Sequence, residues 1–244
     1  MNQTSELDGM VSAYDDVHTL DNQLMHEWYP KRVVEASHGE SFLELGLGHG
    51  HSASIFASRF SRYKVVEASP EMIRRFRNRF GLLEMEIEVA YFEAFETDER
   101  FDHIGMGFVL EHVDDPLAIL QKFLSFLKPG GTLFAAVPNC ESLHRRIGHA
   151  AGLLPDMTVL SEGDRRFGHK RYFSLPSFEL LLVTAGCEVM SAEGLMLKPV
   201  TTAQLEALNL SPAVLQGLMQ VGMGYPELCN AFLVQARPAA VPKR

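Results

Sequence analysis

From about residue 41 the chain alternates short apolar runs with longer amphipathic stretches. "SFLEL" reads as a strand and "HSASIFASRF" as the helix behind it. "YKVVEAS" and "PEMIRRFRNRF" repeat the pair, with Pro70 suited to a first helical turn. "MEIEVAYF" predicts a third strand. "FDHIGMGFVL" predicts a fourth, followed by the helix "DPLAILQKFLSFL". "TLFAAVP" predicts a fifth, after the turn signal Lys128-Pro129-Gly130-Gly131. Nearly continuous apolar strands separated by helices predict a parallel α/β sheet covered on both faces.

The rhythm breaks after residue 138. Residues 139–173 are basic and interrupted, and are expected as an insertion over one edge of the sheet. "LPSFELLLVTAG" restores a helix. "CEVMSAEGLML" and "CNAFLVQAR" predict two late strands, with a helical segment at 201–222 between them. The mixed polar and aromatic residues before position 41 predict one or two helices.

Composition narrows the function. The 244 residues suffice for one domain with a sizeable core, and 46% hydrophobic with 22% charged residues is ordinary for a globular chain. A net charge of -9 disfavours a nucleic-acid partner. Cys140, Cys187 and Cys229 are far apart and lack metal-ligand spacing, so they are expected as buried free thiols in a reducing compartment. No apolar run approaches the ~20 residues that span a bilayer, and "MNQTSELDGM" lacks the basic start and apolar run of a secretory signal. A cytoplasmic protein without membrane partners is the expectation.

The chemistry concentrates in "SFLELGLGHGHSASIFA" at 41–57, where a strand ends at Glu44-Leu45 and three glycines follow at alternate positions. Glycines between a strand and a helix let main chain approach a ligand, and the helix offers unpaired N–H groups to it. The spacing is E-x-G-x-G-x-G rather than the dinucleotide G-x-G-x-x-G, and no phosphate-loop lysine follows. A tight turn, a phosphate cradle and a seat for another small molecule are the readings of the glycines by themselves.

The stretch resembles motif I of the class I S-adenosylmethionine-dependent methyltransferases. The resemblance extends through "KVVEAS", "FDHIGMGFVLEHVDDP" and "FLKPGGTLFAAVPN", and so covers residues 41–139. It is similar to the type 11/12 group that includes ubiquinone-biosynthesis O-methyltransferases. The fold it implies is a doubly wound, seven-stranded, mostly parallel α/β sheet of Rossmann-like type with a helical cap. Residues 1–40 would form the N-terminal cap, 41–139 the cofactor-binding core, 140–174 a substrate-side insertion, and 175–238 the C-terminal part of the sheet.

The resemblance implies S-adenosylmethionine as cofactor, S-adenosylhomocysteine as product, and no metal. Gly46, Gly48 and Gly50 match the loop beside the methionine part, with Glu44 organising it. Glu67, followed by Ala68, matches the acid that holds the ribose hydroxyls. Tyr91, Phe92 and Glu93 lie where the family borders the adenine. Phe108 and Leu110 match the floor near the sulfonium.

His112 is a candidate base, with His169 as a second catalytic candidate; the alternative is that Glu111 and His112 hold the loop or the cofactor by hydrogen bonds. The insertion supplies His144, Arg145, His169, Arg171 and Tyr172 toward an acceptor, and its basic density suits an anionic one; Tyr14 is a lid candidate. The expected reaction is O-methylation of a small-molecule or peptide acceptor, a hydroxyl or a carboxylate, by a monomer or homodimer. N-methylation, a non-catalytic cofactor-binding protein and, less favoured by the glycine spacing, a nicotinamide oxidoreductase are the rival readings.

Overall fold

The structure, a computed structural model, describes residues 20–81 and 84–240. Helix α1 (Leu20–Ala36) precedes strand β1 (Ser41–Leu45), α2 (His51–Arg59), β2 (Arg62–Glu67), α3 (Pro70–Phe80), β3 (Glu86–Val89), β4 (Phe101–Gly107) and α4 (Pro116–Leu124). Then come β5 (Leu127–Pro138), α5 (Leu143–Ala150), α6 (Glu162–Arg166), α7 (Leu175–Thr184), β6 (Cys187–Leu195), α8 (Thr202–Ala207), α9 (Pro212–Gly222) and β7 (Ala231–Pro238).

The seven strands form one sheet in the order β3-β2-β1-β4-β5-β7-β6. The first five are parallel, and β7 runs antiparallel between β5 and β6. Strand order reverses between β1 and β4, so a crevice opens there at the carboxyl ends, where ligands of open α/β sheets bind.

Period-two alternation divides the core. Leu43 and Leu45 of β1 pack into one cluster with Ile104, Met106 and Phe123, while Phe42 packs into the other with Phe56, Tyr29 and Phe134. The helix starts follow from their first residues. Ser69 caps α3 by accepting from Met72 N at 3.1 Å, and Asp115 caps α4 by accepting from Ala118 N at 3.0 Å, each just ahead of a proline.

Two expectations shift. The third strand is only Glu86–Val89, a largely exposed edge whose Glu86 pairs with Lys64, as suits an unpaired sheet margin. The Lys128–Gly131 turn signal lies inside β5, where the register to β4 jumps between Phe101 and His103. Gly130 at φ 79 absorbs that irregularity within the strand. The three cysteines are buried and free. Among the described residues no helix is long and apolar enough to cross a membrane.

Candidate active site

A cavity of about 1070 Å³ opens at the carboxyl ends of β1, β2, β4 and β5, beneath α1 and the 139–173 segment. Ligand pockets usually hold roughly 300–1,000 Å³, so this one has room for two molecules side by side.

One end is made of main chain. Gly46, Gly48 and Gly50 all adopt positive φ, at 77°, 48° and 77°. A Cβ on Gly50 would lie 2.6 Å from Phe80 and 2.7 Å from Phe76, so the loop is pressed against α3. Gly46 N donates to Val66 O at 2.9 Å, fixing the loop to the end of β2. Glu67 completes that seam, its carboxylate accepting from Leu47 N at 3.0 Å and Ser69 N at 2.8 Å. Burial raises its pKa above the ordinary value against those hydrogen bonds.

Glu44 sits on the face of β1 where alternation places an apolar residue, and is 3% exposed. Burial pushes its pKa up to about 7, while Ser52 and Tyr63 donate to it. Ala68, Tyr91, Phe92 and Glu93 also line this end.

Between the two ends stands Phe108. Its φ of 59° is in the left-handed region, unusual for an aromatic residue and a local strain of the kind found at functional sites. Its ring meets His26 of α1 at 5.0 Å and Tyr29 at 6.1 Å between centroids. Gly105 and Gly107 of β4 make that approach feasible, because a Cβ on Gly107 would lie 2.6 Å from the Tyr29 ring. Burial beside His49 and His51 takes the His26 pKa down to about 3.

The other end is made of side chains. Glu111 is fully buried, and neither carboxylate oxygen reaches a hydrogen-bond partner on another residue among those described. Burial raises its pKa to about 7. His112 is held neutral by burial and by His169, its pKa lowered to about 3, and its ring is hydrogen-bonded to the backbone at Gly168 and Phe167. His112 and His169 meet with ring centroids 4.7 Å apart. Lys170 N donates to Glu111 O at 2.8 Å, which locks the insertion against the loop after β4. His144 also lines the cavity, its pKa lowered to about 3 by burial and by Lys198 and Arg145.

Much of the basic density is consumed locally. Arg145 donates to Met157 O and Val159 O at 2.8 and 2.7 Å and lies 4.5 Å from the Tyr172 ring centre, so it braces the insertion while lining the cavity. Tyr172 lines the cavity too, and its hydroxyl donates to Asp164.

Two sequence expectations land elsewhere. Arg171 donates to Asp114 O at 3.0 Å and is absent from the cavity wall, because the chain there runs as an irregular segment whose side chains diverge. Leu110 is fully buried in the core rather than on the floor; its neighbours Val109 and Glu111 line the cavity instead. Tyr14 lies outside the described residues.

Glu111 also lines the cavity, where the sequence offered it, beside His112 in "LEH", only as a holder of the loop or the cofactor. Sequence reading missed Lys198, whose Nζ pairs with Asp21 at 2.6 Å, both nearly buried, with Thr202 donating to the same carboxylate at 2.8 Å. Nothing local to "LKPV" marks that lysine. Asn139, by contrast, is committed to structure: its amide donates to Glu227 O at 3.1 Å and Cys229 O at 3.0 Å, and its carbonyl accepts from Glu141 N at 2.9 Å.

A family model described as a methyltransferase domain matches residues 20–192. A ubiquinone biosynthesis O-methyltransferase of Xanthomonas campestris is 34% identical over 107 residues, 41% of this chain and 44% of that protein. The chain thus spans about half the length of the curated relatives it matches. Among solved structures, an S-adenosylmethionine-dependent methyltransferase of Thermotoga maritima aligns over 89% of this chain and 91% of its own, with TM-score 0.63 and 22% identity. The N-methyltransferase NodS of Bradyrhizobium japonicum, in complex with S-adenosyl-L-homocysteine, aligns over 93% and 90%, with TM-score 0.58 and 16% identity.

Proposed function

The chain belongs to the methyltransferase-domain family, and from that premise we propose that it transfers the methyl group of S-adenosylmethionine to an oxygen of a small-molecule acceptor. The observation that carries this reading is a single cavity with two unlike ends. A main-chain loop and a diol-ready carboxylate lie at one, and a cluster of imidazoles and a buried carboxylate at the other.

At the first end, Gly46, Gly48 and Gly50 leave main chain bare for the methionine part. Glu67 keeps lone pairs for the two ribose hydroxyls after accepting from Leu47 and Ser69. Tyr91 and Phe92 offer flat surfaces for the adenine. Phe108 would then stand at the sulfonium, between donor and acceptor.

The chemistry asks mainly for alignment. The acceptor oxygen attacks the methyl carbon, and the carbon–sulfur bond breaks with its electron pair on sulfur. The sulfonium becomes a neutral thioether, and the acceptor's proton leaves toward the polar end of the cavity. Holding these atoms in line supplies roughly 7–11 kcal/mol in well-oriented systems. His112 and His169 are the residues placed to meet the acceptor's reacting atom. His144 and Arg145 border the space beside them.

Oxygen is favoured over nitrogen by the similarity to ubiquinone biosynthesis O-methyltransferases, and the Asn139 amide, which could have received an N–H, is already bound to its neighbours. The resemblance of fold to an N-methyltransferase keeps a small amine as the second acceptor class.

Calorimetry with S-adenosylhomocysteine, followed by mass spectrometry of hydroxy-, carboxy- and amino-bearing compounds incubated with protein and donor, tests the reading. Binding of the product and one added methylene on an oxygen compound are expected. A protein that binds neither donor nor product overturns it.

A further inference from the structure

Burying a carboxylate without a donor costs several kcal/mol, so folds rarely keep one unless something else completes it. Glu111 is such a group, and among the described residues no guanidinium or ammonium answers it. Lys170, the cation next to it through the backbone bond at 2.8 Å, turns its Nζ to Asp114 instead.

The groups that do face Glu111 are His112 and His169. One ligand atom from each of the three lies within 4.8 Å of the others. Ligands at ~2.0–2.2 Å from a common cation lie at most roughly 4.4 Å apart, so a small closing movement of side chains completes the set. His112 is held by outer-shell hydrogen bonds, as ligating histidines are, and His169 has a carboxylate beside it. His112 is hydrogen-bonded to backbone at residues 167 and 168, and Asp164 Oδ1 lies 3.3 Å from His169 Nδ1.

We propose that Glu111, His112 and His169 form a binding site for one divalent transition-metal cation, open to the acceptor end of the cavity and able to take the acceptor through a hydroxyl oxygen. This departs from the metal-free expectation that the resemblance implies. Two imidazoles and one carboxylate suit zinc, cobalt or iron(II) over magnesium, and three protein ligands leave positions for oxygen. A hydroxyl bound there loses its proton more easily, and water at the cavity mouth carries that proton away. The acceptor part rests on the methyltransferase reading above; the cation site does not.

The test uses the full chain, freed of metal with a chelator and titrated with Co²⁺ by calorimetry and visible absorption. One equivalent should bind with ligand-field bands. Zn²⁺ should displace it, and equimolar Mg²⁺ should not. Glu111→Gln and His169→Gln should each weaken Co²⁺ by at least about 10-fold, the scale on which even outer-shell partners act. S-adenosylhomocysteine affinity, measured on the same samples, should stay within about 2-fold and reports that each variant is folded. Acetohydroxamate, a bidentate oxygen ligand, should shift the bands.

Absence of stoichiometric Co²⁺ binding by the wild-type chain overturns the site, whatever the variants do. Equal Co²⁺ affinity in both folded variants overturns it too. Bands unmoved by hydroxamate overturn the acceptor role alone. Loss of product binding in the wild-type chain would count against the methyltransferase reading and leave the cation site standing.

Discussion

The two ends of the cavity are built on opposite principles. The cofactor end uses backbone: three left-handed glycines, a seam of main-chain hydrogen bonds, and one carboxylate, Glu67, that grips main chain on both oxygens. The acceptor end uses side chains drawn from four places: the loop after β4, the insertion, α1 and the segment after β6. Backbone is the same whatever the sequence, so the first end reads as a spacing of glycines. Side chains brought together from afar leave no such spacing. What differs between relatives of one fold is therefore expected at the second end, where substitution moves chemistry without moving the loop.

Gly50→Ala should break the contrast most severely. It forces an L-residue into φ 77° and drives a methyl into Phe76 and Phe80, costing roughly 2–5 kcal/mol in urea unfolding. Near-normal stability would show the loop to be less rigid than described.

Acid should then act on the other end through His144. Its folded pKa of about 3 lies below the unfolded value of 6.5, so its contribution is present above pH 6.5 and lost as pH falls toward 3. The buried carboxyls Glu44 and Glu111 work in the reverse sense, with folded pKa values near 7 against 4.5 unfolded, so their share is lost as pH rises through 7. The whole-protein profile is thereby flattened, and the histidine must be isolated by comparison. Between wild type and His144→Asn, the stability difference should change by about 1.4 kcal/mol per pH unit below 6.5, reaching about 3 kcal/mol near pH 4.5. A constant difference would mean the ring titrates in the folded state as freely as in the unfolded one.

Glu67→Ala should weaken S-adenosylhomocysteine binding by about 1–3 kcal/mol, read by calorimetry. Unchanged affinity would remove the ribose from this position. Smallest of all, Arg171→Ala should shift stability by less than about 0.5 kcal/mol and leave the acceptor's Michaelis constant alone, since its guanidinium serves the Asp114 carbonyl and does not itself line the cavity. A several-fold rise in that constant would return the residue to the acceptor.

This asymmetry also explains what the sequence made legible. The five parallel strands, their helices and the glycine loop announced themselves because apolar runs, capping residues and prolines are local signals. Even the exposed margin at β3 differed only in length. Arg171 and Leu110 misled because adjacency in "HKRY" and "VLEH" says nothing about which side chain turns inward once regular structure ends. Lys198 and Asp21 were invisible because their pairing spans 177 residues. Gly105 and Gly107 were readable as weak points in a strand. The reason for Gly105 is the Phe42 ring of β1 lying against it, and that for Gly107, the ring of Tyr29, exists only once α1 is docked.

That docking carries a consequence for biosynthesis. α1 is held by Arg32 to Glu193 at 2.8 Å and by Asp21 to Lys198, and Leu20 N donates to Glu206 at 3.3 Å. A ribosome therefore delivers the roof early and its fasteners late. Until the stretch around β6 and α8 emerges, α1 has β1, α2 and β4 for its apolar face but lacks these polar latches, so the enclosure of the cavity can be completed only last.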